Sequence, residues 1–230
     1  MRQIVLDTET TGLNARGGDR IIEIGCVELV NRRPSGRTFH HYVNPERSSE
    51  PEALKVHGIS DEFLTDKPKF AAIAEELMRF VHDAEIIIHN ATFDVGFLDE
   101  ELARLKRPKF TQGCRNVVDT LDMSKRLNPG KRHNLDALCE RYGVSNAHRT
   151  LHGALLDAEL LAEVFLAMTR GQDTLVMDLG GNSTEVSEKL DVTGLVLPVI
   201  APSEDEMQAH ERVLQSIEKA AKRSAIWRTL

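Results

Sequence analysis

The chain opens with an apolar run of strand type, Ile4-Val5-Leu6, and residues 2–7 read as a first strand. Arg20 to Val30 (RIIEIGCVELV) alternates in part and predicts a second strand. Thr38–Val43 predicts a third, with the Pro- and Gly-containing stretch Asn31–Gly36 as the hairpin turn between them. Apolar residues at helical spacing, Ile73, Leu77, Phe80 and Val81, predict a helix over 70–81. Glu85–Ile88 is a short continuous apolar run of the kind found in fully buried strands. The next helix carries Val95, Leu98, Leu102 and Leu105 on one stripe, and Asn116–Asp119 follows as a short strand. Leu135–Tyr142 predicts a helix closed by Gly143, and His152–Thr169 a strongly amphipathic one. Three early strands followed by alternating helix and strand give an α/β class: a mixed sheet flanked by helices.

The texture changes after Gly171. Residues 172–202 hold Gly180-Gly181 and scattered valines without a sustained period, as in a flexible linker. Residues 203–230 then predict a helical segment. Ser203 and Glu206 match a capping box, and Val213, Leu214, Ile217, Ala220 and Ala221 form one face. Acidic residues open this helix, and Lys219, Lys222 and Arg223 close it, in keeping with the macrodipole. A single amphipathic helix after a linker has no core of its own, so a partner protein is expected. The domain organisation predicted is therefore 1–171, 172–202 and 203–230.

Composition narrows the class. The chain is 41% hydrophobic, ample for a core, and no apolar run approaches the length of a membrane span. The start reads directly as strand, without the apolar stretch of a secretory leader, and Cys26, Cys114 and Cys139 are widely spaced without CxxC pairing. A reducing cytoplasm is the expected compartment. The net charge of −7 argues against a protein that grips long nucleic acid unaided. A nucleic-acid enzyme of this charge contacts a few nucleotides or is tethered by a partner.

The chemistry starts at Asp7-Thr8-Glu9-Thr10-Thr11-Gly12. On a strand, residues i and i+2 share a face, so Asp7 and Glu9 project side by side. Two such carboxylates need a positive partner, and a hard divalent cation with oxygen ligands suits them. Asp94 stands near a helix start after the Ile86–Ile88 strand, and Asp157 one turn into the helix that begins near His152. At i and i+5, His152 and Asp157 would lie about 140° apart on one helix, so His152 is placed on the loop leading in. Asp119 ends an apolar strand and reads mainly as structural. Thr10–Leu13 shape a ligand pocket or make a tight turn. Lys125, Arg126, Lys131, Arg132 and His133 hold phosphates or form a solvated charge run.

DTETTG, HNATFDVGFL and LHGALLDAELLAEVFLAM, in this order, resemble the DEDDh 3′–5′ exonucleases. VLDTETTG, RIIEIG, VHGISDEFL, NLDALCERYGV and TLHGALLDA are similar to the proofreading epsilon subunits of bacterial DNA polymerase III within that family. The likeness covers residues 1–172 well and the tail weakly. It implies an RNase H-like fold and 3′–5′ removal of misincorporated nucleotides from a single-stranded or frayed DNA primer end. It implies two divalent cations, Mg²⁺ or Mn²⁺, held by Asp7, Glu9, Asp94 and Asp157, with Asp7 as the bridge and Asp94 binding directly or through water. It implies His152 as general base, and Glu52 and His57 beside Asp7, Glu9 and Asp157 as contacts to the terminal nucleotide. Read without the family, His57 is an ordinary loop histidine. The implied partners are a polymerase alpha subunit through the C-terminal segment, a sliding clamp through Gln172 and Leu175, and a small theta-like accessory subunit. The clamp motif departs from the family's in lacking a terminal aromatic residue.

Three other readings stand beside this one. RNA-trimming exonucleases use the same constellation, although a free-standing RNase needs no tethering helix. A non-catalytic assembly subunit would not need all five of Asp7, Glu9, Asp94, His152 and Asp157 filled. A structural metal protein fits poorly, because carboxylates with one histidine and no cysteine suit a catalytic Mg²⁺ site better than structural zinc.

Overall fold

The computed structural model describes residues 1–147, 149, 151–170, 202–221 and 223–228. The expectations for Gln172, Leu175, Lys222 and the linker lie outside the described residues. The chain divides into two units, whose described parts end at Arg170 and begin again at Pro202.

In the first unit β1 (Arg2–Thr10), β2 (Ile21–Val30) and β3 (Arg33–Tyr42) form an antiparallel meander. Then come α1 (Pro51–His57), α2 (Asp61–Leu64), α3 (Phe70–Val81), β4 (Glu85–Ile88) and α4 (Ala91–Arg104). β5 (Asn116–Asp119), α5 (Thr120–Leu127), α6 (Leu135–Tyr142) and α7 (Ala154–Met168) complete it. The sheet order is β3-β2-β1-β4-β5, with β4 parallel to β1 and β5 parallel to β4. This is the mixed sheet flanked by helices that the pattern predicts.

β1 lies at the centre and divides the core by side-chain parity. Ile4 and Leu6 pack with Ile73, Leu77, Phe97, Leu98 and Leu102 from α3 and α4. Val5 packs on the other face with Leu138, Leu161 and Phe165 from α6 and α7. Asp7 and Glu9 follow Val5 at intervals of two, and so face α7. Thr8 points to the α4 side.

Three boundaries differ from the sequence reading. β1 continues to Thr10, past its expected end at Asp7, because the residues whose polar side chains break its apolar run still pair through their backbone with β2. β3 begins at Arg33 rather than Thr38. The turn is only Asn31-Arg32, with φ of 48° and 62°, the positive values that a two-residue hairpin of favourable twist requires. Pro34 and Gly36 belong to β3 itself, at the sheet edge where proline is tolerated. α7 begins at Ala154, leaving His152 in the loop before it, as its angular offset from Asp157 requires.

A bulge separates the pairs Glu9–Glu23 and Thr10–Ile21. It shifts parity along β2, so that Ile21 and Ile24, three apart, enter the same core cluster. α7 sits unusually close to β2: a Cβ on Gly25 would overlap the backbone of Ala154 and Leu155.

In the second unit α8 (Glu204–Ala221) is followed by a 3₁₀ turn at Ile226–Arg228. The capping box forms as expected: Ser203 N–H donates to Glu206 Oε2 at 2.8 Å, and Glu206 N–H to Ser203 Oγ at 3.3 Å. Arg228 reaches back to Glu211 and Glu218. Of the predicted apolar face, Leu214 is buried while Val213 and Ile217 are exposed, as is Trp227. Among the described residues no helix is long and apolar enough to cross a membrane.

Gly25→Ala is expected to lower unfolding free energy by about 3 kcal/mol, since backbone rather than a mobile side chain fills the space. Urea unfolding of the two proteins measures the difference.

Candidate active site

At the end of β1 the structure opens a cavity of about 690 Å³. Asp7, Glu9, His57, Asp94, His152 and Asp157 all line it. Glu52 does not; it lies on the exposed side of α1.

The carboxylates come from different elements, two of which are anchored at their starts by other carboxylates. Glu9 stands directly across from Glu23 in the β1–β2 ladder. Like charges so placed are destabilising, and Glu23 is drawn off by other partners. Its Oε1 pairs with His40 Nε2 at 2.7 Å, and its Oε2 accepts the Ala154 N–H at 3.1 Å. That second bond satisfies a free amide at the start of α7, where a carboxylate is favoured by the helix dipole. Glu23 thus anchors the helix that carries Asp157.

Asp94 sits in the first turn of α4, whose entry residue Asn90 is left-handed at φ 68°. Asp119 holds that entry. Its oxygens accept from Asn90 N–H at 3.1 Å, Ala91 N–H at 3.0 Å and Leu121 N–H at 2.8 Å, so one carboxylate ties the starts of α4 and α5. Thr8 Oγ1 donates to Asp94 Oδ1 at 2.7 Å and fixes its side chain.

His152 is positioned from both ends. Its backbone N–H donates to Val56 O of α1 at 3.1 Å. Beside it, Leu151 lies over Gly58, where a Cβ would overlap the leucine side chain and φ is 69°. Glu9, His152 and Asp157 offer ligand atoms all within 4.8 Å of one another, a spacing that suits a shared metal ion.

The electrostatics are severe. Burial, then the charges of Asp94, Glu9 and Asp157, push Asp7 well above the usual carboxylate range. Burial, then Asp157, Glu23 and Asp94, raise Glu9 to about 8. Burial raises Asp94 to about 7 despite the Thr8 hydrogen bond. Ionising this set together calls for added positive charge, and its oxygen-rich composition suits a hard divalent cation.

The sequence reading did not single out Arg149. Its Nε and Nη2 donate to Asp157 Oδ1 and Oδ2 at 2.6 and 2.7 Å, as a fork on a carboxylate. Nη1 donates to Asp136 Oδ1 at 2.8 Å, and Nη2 also to His152 Nδ1 at 2.9 Å. Burial first, then Arg149, hold His152 below its ordinary value, against the pull of Asp157 and Asp136.

A family model described as Exonuclease matches residues 4–165. DNA polymerase III subunit epsilon of Escherichia coli (strain K12) is 49% identical over 238 residues, covering 99% of this chain and 97% of its own. The chain belongs to the epsilon family of exonucleases. Its relative from Rickettsia felis is 46% identical over 226 residues, with 96% of this chain and 99% of that one covered. Among solved structures, exonuclease X in complex with 5′ overhanging duplex DNA superposes with a TM-score of 0.58 at 23% identity, covering 74% of this chain and 93% of that one. E. coli exonuclease I in complex with a dA16 oligonucleotide gives 0.66 at 19%, covering 75% and 42%. Both share the fold of this epsilon-family chain.

The remaining candidates resolve into mixed roles. Thr10, Gly12 and Leu13 line the cavity, and Thr10 Oγ1 also donates to Gly12 O at 2.6 Å, so wall and tight turn are the same structure. The basic run does not act together: Lys125 lies beside Asp122, Arg132 beside Glu140, and His133 bonds Ser124 while lining the cavity. His57 is only 4% exposed, and its Nε2 is buried without a hydrogen-bond partner among the described residues. Its Nδ1 accepts the Ile59 N–H at 2.9 Å. Burial lowers its pKa, so the neutral ring carries its proton on Nε2, as a donor without an acceptor.

Glu9 and Asp94 bind protons in the folded protein at pH values where the unfolded chain has released them. Stability in a chelator should therefore fall by several kcal/mol as the pH rises between about pH 5 and about pH 8. Glu9→Gln should flatten that slope. Thermal unfolding across the range, with and without Mn²⁺, reads both effects.

Proposed function

We propose that this epsilon-family exonuclease removes misincorporated nucleotides from the 3′ end of a DNA primer, as the proofreading subunit of a replicative DNA polymerase. The observation that carries the reading is the convergence of Asp7, Glu9, Asp94 and Asp157 on one cavity wall, with His152 on a loop facing them. A site of repelling carboxylates whose affinities for protons are raised suits cation-assisted phosphodiester hydrolysis.

Two divalent cations, Mg²⁺ or Mn²⁺, would supply charge neutralisation at phosphorus and an acidified water nucleophile when bound. Asp7, Glu9, Asp94 and Asp157 would hold them. His152, whose lowered pKa keeps the ring neutral near pH 7, accepts the proton of the attacking water. His57 meets the terminal nucleotide, where its buried Nε2–H finds an acceptor. Glu52, which lies outside the cavity lining, reaches the nucleotide only if α1 or the side chain moves. The products are a 5′-mononucleotide and a shortened 3′ end.

The attachment scheme follows from the organisation of the chain. Residues 1–171 form the nuclease, 172–202 the linker and 203–230 the polymerase-binding segment. Gln172 and Leu175 dock on the sliding clamp, and a small theta-like subunit joins the nuclease. The exposed Val213, Ile217 and Trp227 provide apolar surface for the alpha subunit.

A 5′-labelled primer with a 3′ mismatch, incubated with Mg²⁺ beside matched, single-stranded and RNA strands, tests the chemistry. Stepwise 3′ shortening of DNA, fastest at the mismatch, is expected. Asp7→Ala should abolish it, and His152→Ala should lower turnover roughly 10²–10⁴-fold while Mn²⁺ affinity is largely retained. Preference for RNA would make the protein an RNA-processing nuclease. Deleting residues 203–230 should abolish co-purification with the polymerase subunit and spare nuclease activity; retained binding would refute the attachment. In parallel, unchanged clamp affinity after Gln172→Ala and Leu175→Ala would remove the clamp from the scheme.

A further inference from the structure

Arg149 lies where a cation would lie. Its Nη2 is 2.7 Å from Asp157 Oδ2 and 2.9 Å from His152 Nδ1, and those two acceptors are 3.4 Å apart. Asp157 and His152 are two of the three residues whose ligand atoms share a metal-sized space with Glu9. The guanidinium therefore stands among the donors a divalent ion would use. Its side chain is 6% exposed, so water screens its charge little. Both Asp157 oxygens already accept from it, and a dication on the same carboxylate would meet a fixed positive charge at close range.

Arg149 also has a second partner. Nη1 bonds Asp136, a half-exposed carboxylate at the start of α6, which accepts from Asn146 as well. Leaving Asp157 would not strand the guanidinium in an apolar surrounding. A guanidinium only donates, so the Arg149–His152 bond uses the Nδ1 lone pair of the neutral ring and leaves its proton on Nε2. In that arrangement neither ring nitrogen offers a free lone pair to water.

We propose that Arg149 and a divalent cation compete for Asp157, so that Arg149 sets the metal affinity of the site and its displacement toward Asp136 releases the His152 ring. Arg149 is then a positioning residue that links metal loading to the readiness of His152. This rests on the metal-dependent reading above.

The test uses the full chain and Mn²⁺ alone, with free Mn²⁺ followed by electron paramagnetic resonance. Arg149→Gln removes the charge and keeps a polar planar group. It should tighten Mn²⁺ binding by about tenfold or more. Arg149→Lys keeps the charge and should stay within about threefold of the wild type. Equal or weaker Mn²⁺ binding by a folded Arg149→Gln protein overturns the proposal, because a residue that merely supports Asp157 would lower affinity when removed. Should the glutamine variant fail to fold, the Arg149 Nε–H resonance of the wild type, assigned by its loss in Arg149→Lys, gives the answer. It should move as Mg²⁺ saturates the site, and a resonance unchanged at saturation overturns the proposal. Mn²⁺ binding by the wild type with no effect of Arg149→Gln defeats only this inference. No Mn²⁺ binding and no DNA shortening by the wild type defeats the proposed function as well.

Discussion

Carboxylates placed within a few ångströms of one another, out of bulk water, repel strongly, and a protein that keeps them there must hold them against that repulsion. Asp7, Glu9, Asp94 and Asp157 come from a central strand and two helices. None is held by the others. The two helix-borne ones are fixed from outside the group: Thr8 holds Asp94, Asp119 holds the start of α4, and Glu23 holds the start of α7 that carries Asp157. The architecture around β1 follows from this. The bulge after Glu9 shifts the register of the ladder there, and Gly25 lets α7 approach β2 closely enough for Glu23 to reach the Ala154 amide.

Glu23 shows how one side chain can serve fold and site together. In the ladder it faces Glu9, an arrangement that taken alone would be unfavourable. Its bonds to His40 and to the α7 amide turn the same charge to a structural use. The residual field still raises the proton affinity of Glu9. The same interaction that seats the helix thus contributes to the charge density that favours a cation.

Legibility in the sequence divides along a physical line. Strand parity placed Asp7 and Glu9 on one face, and helical angle placed His152 on a loop, because both depend only on local geometry. The α/β order was readable for the same reason. The β3 boundary was not: Pro34 and Gly36 carry turn chemistry, and only the edge position of β3, a tertiary fact, permits them in a strand. Glu23 and Arg149 were equally hidden. Glu23 reads as one polar residue in an alternating strand, and its partner is 131 positions away. Arg149 is a lone arginine three residues before His152, with no spacing rule to mark it. The placement of His57 in the pocket came by likeness to the family, and its orphaned Nε2 supplies the physical reason after the fact.

His152 is the point at which these constraints meet. Its backbone is tied to α1, the element that also carries His57, through Val56 O. Its ring is tied to Arg149 and so to Asp157 on α7. This stretch is thus fastened to α1 on one side and, through Arg149, to Asp157 on the other. Under the proposed function, a nucleotide at His57 and a cation at Asp157 would act on the same neighbours, Arg149 and His152. Under that reading neither a cation nor a strand alone would set His152 in position.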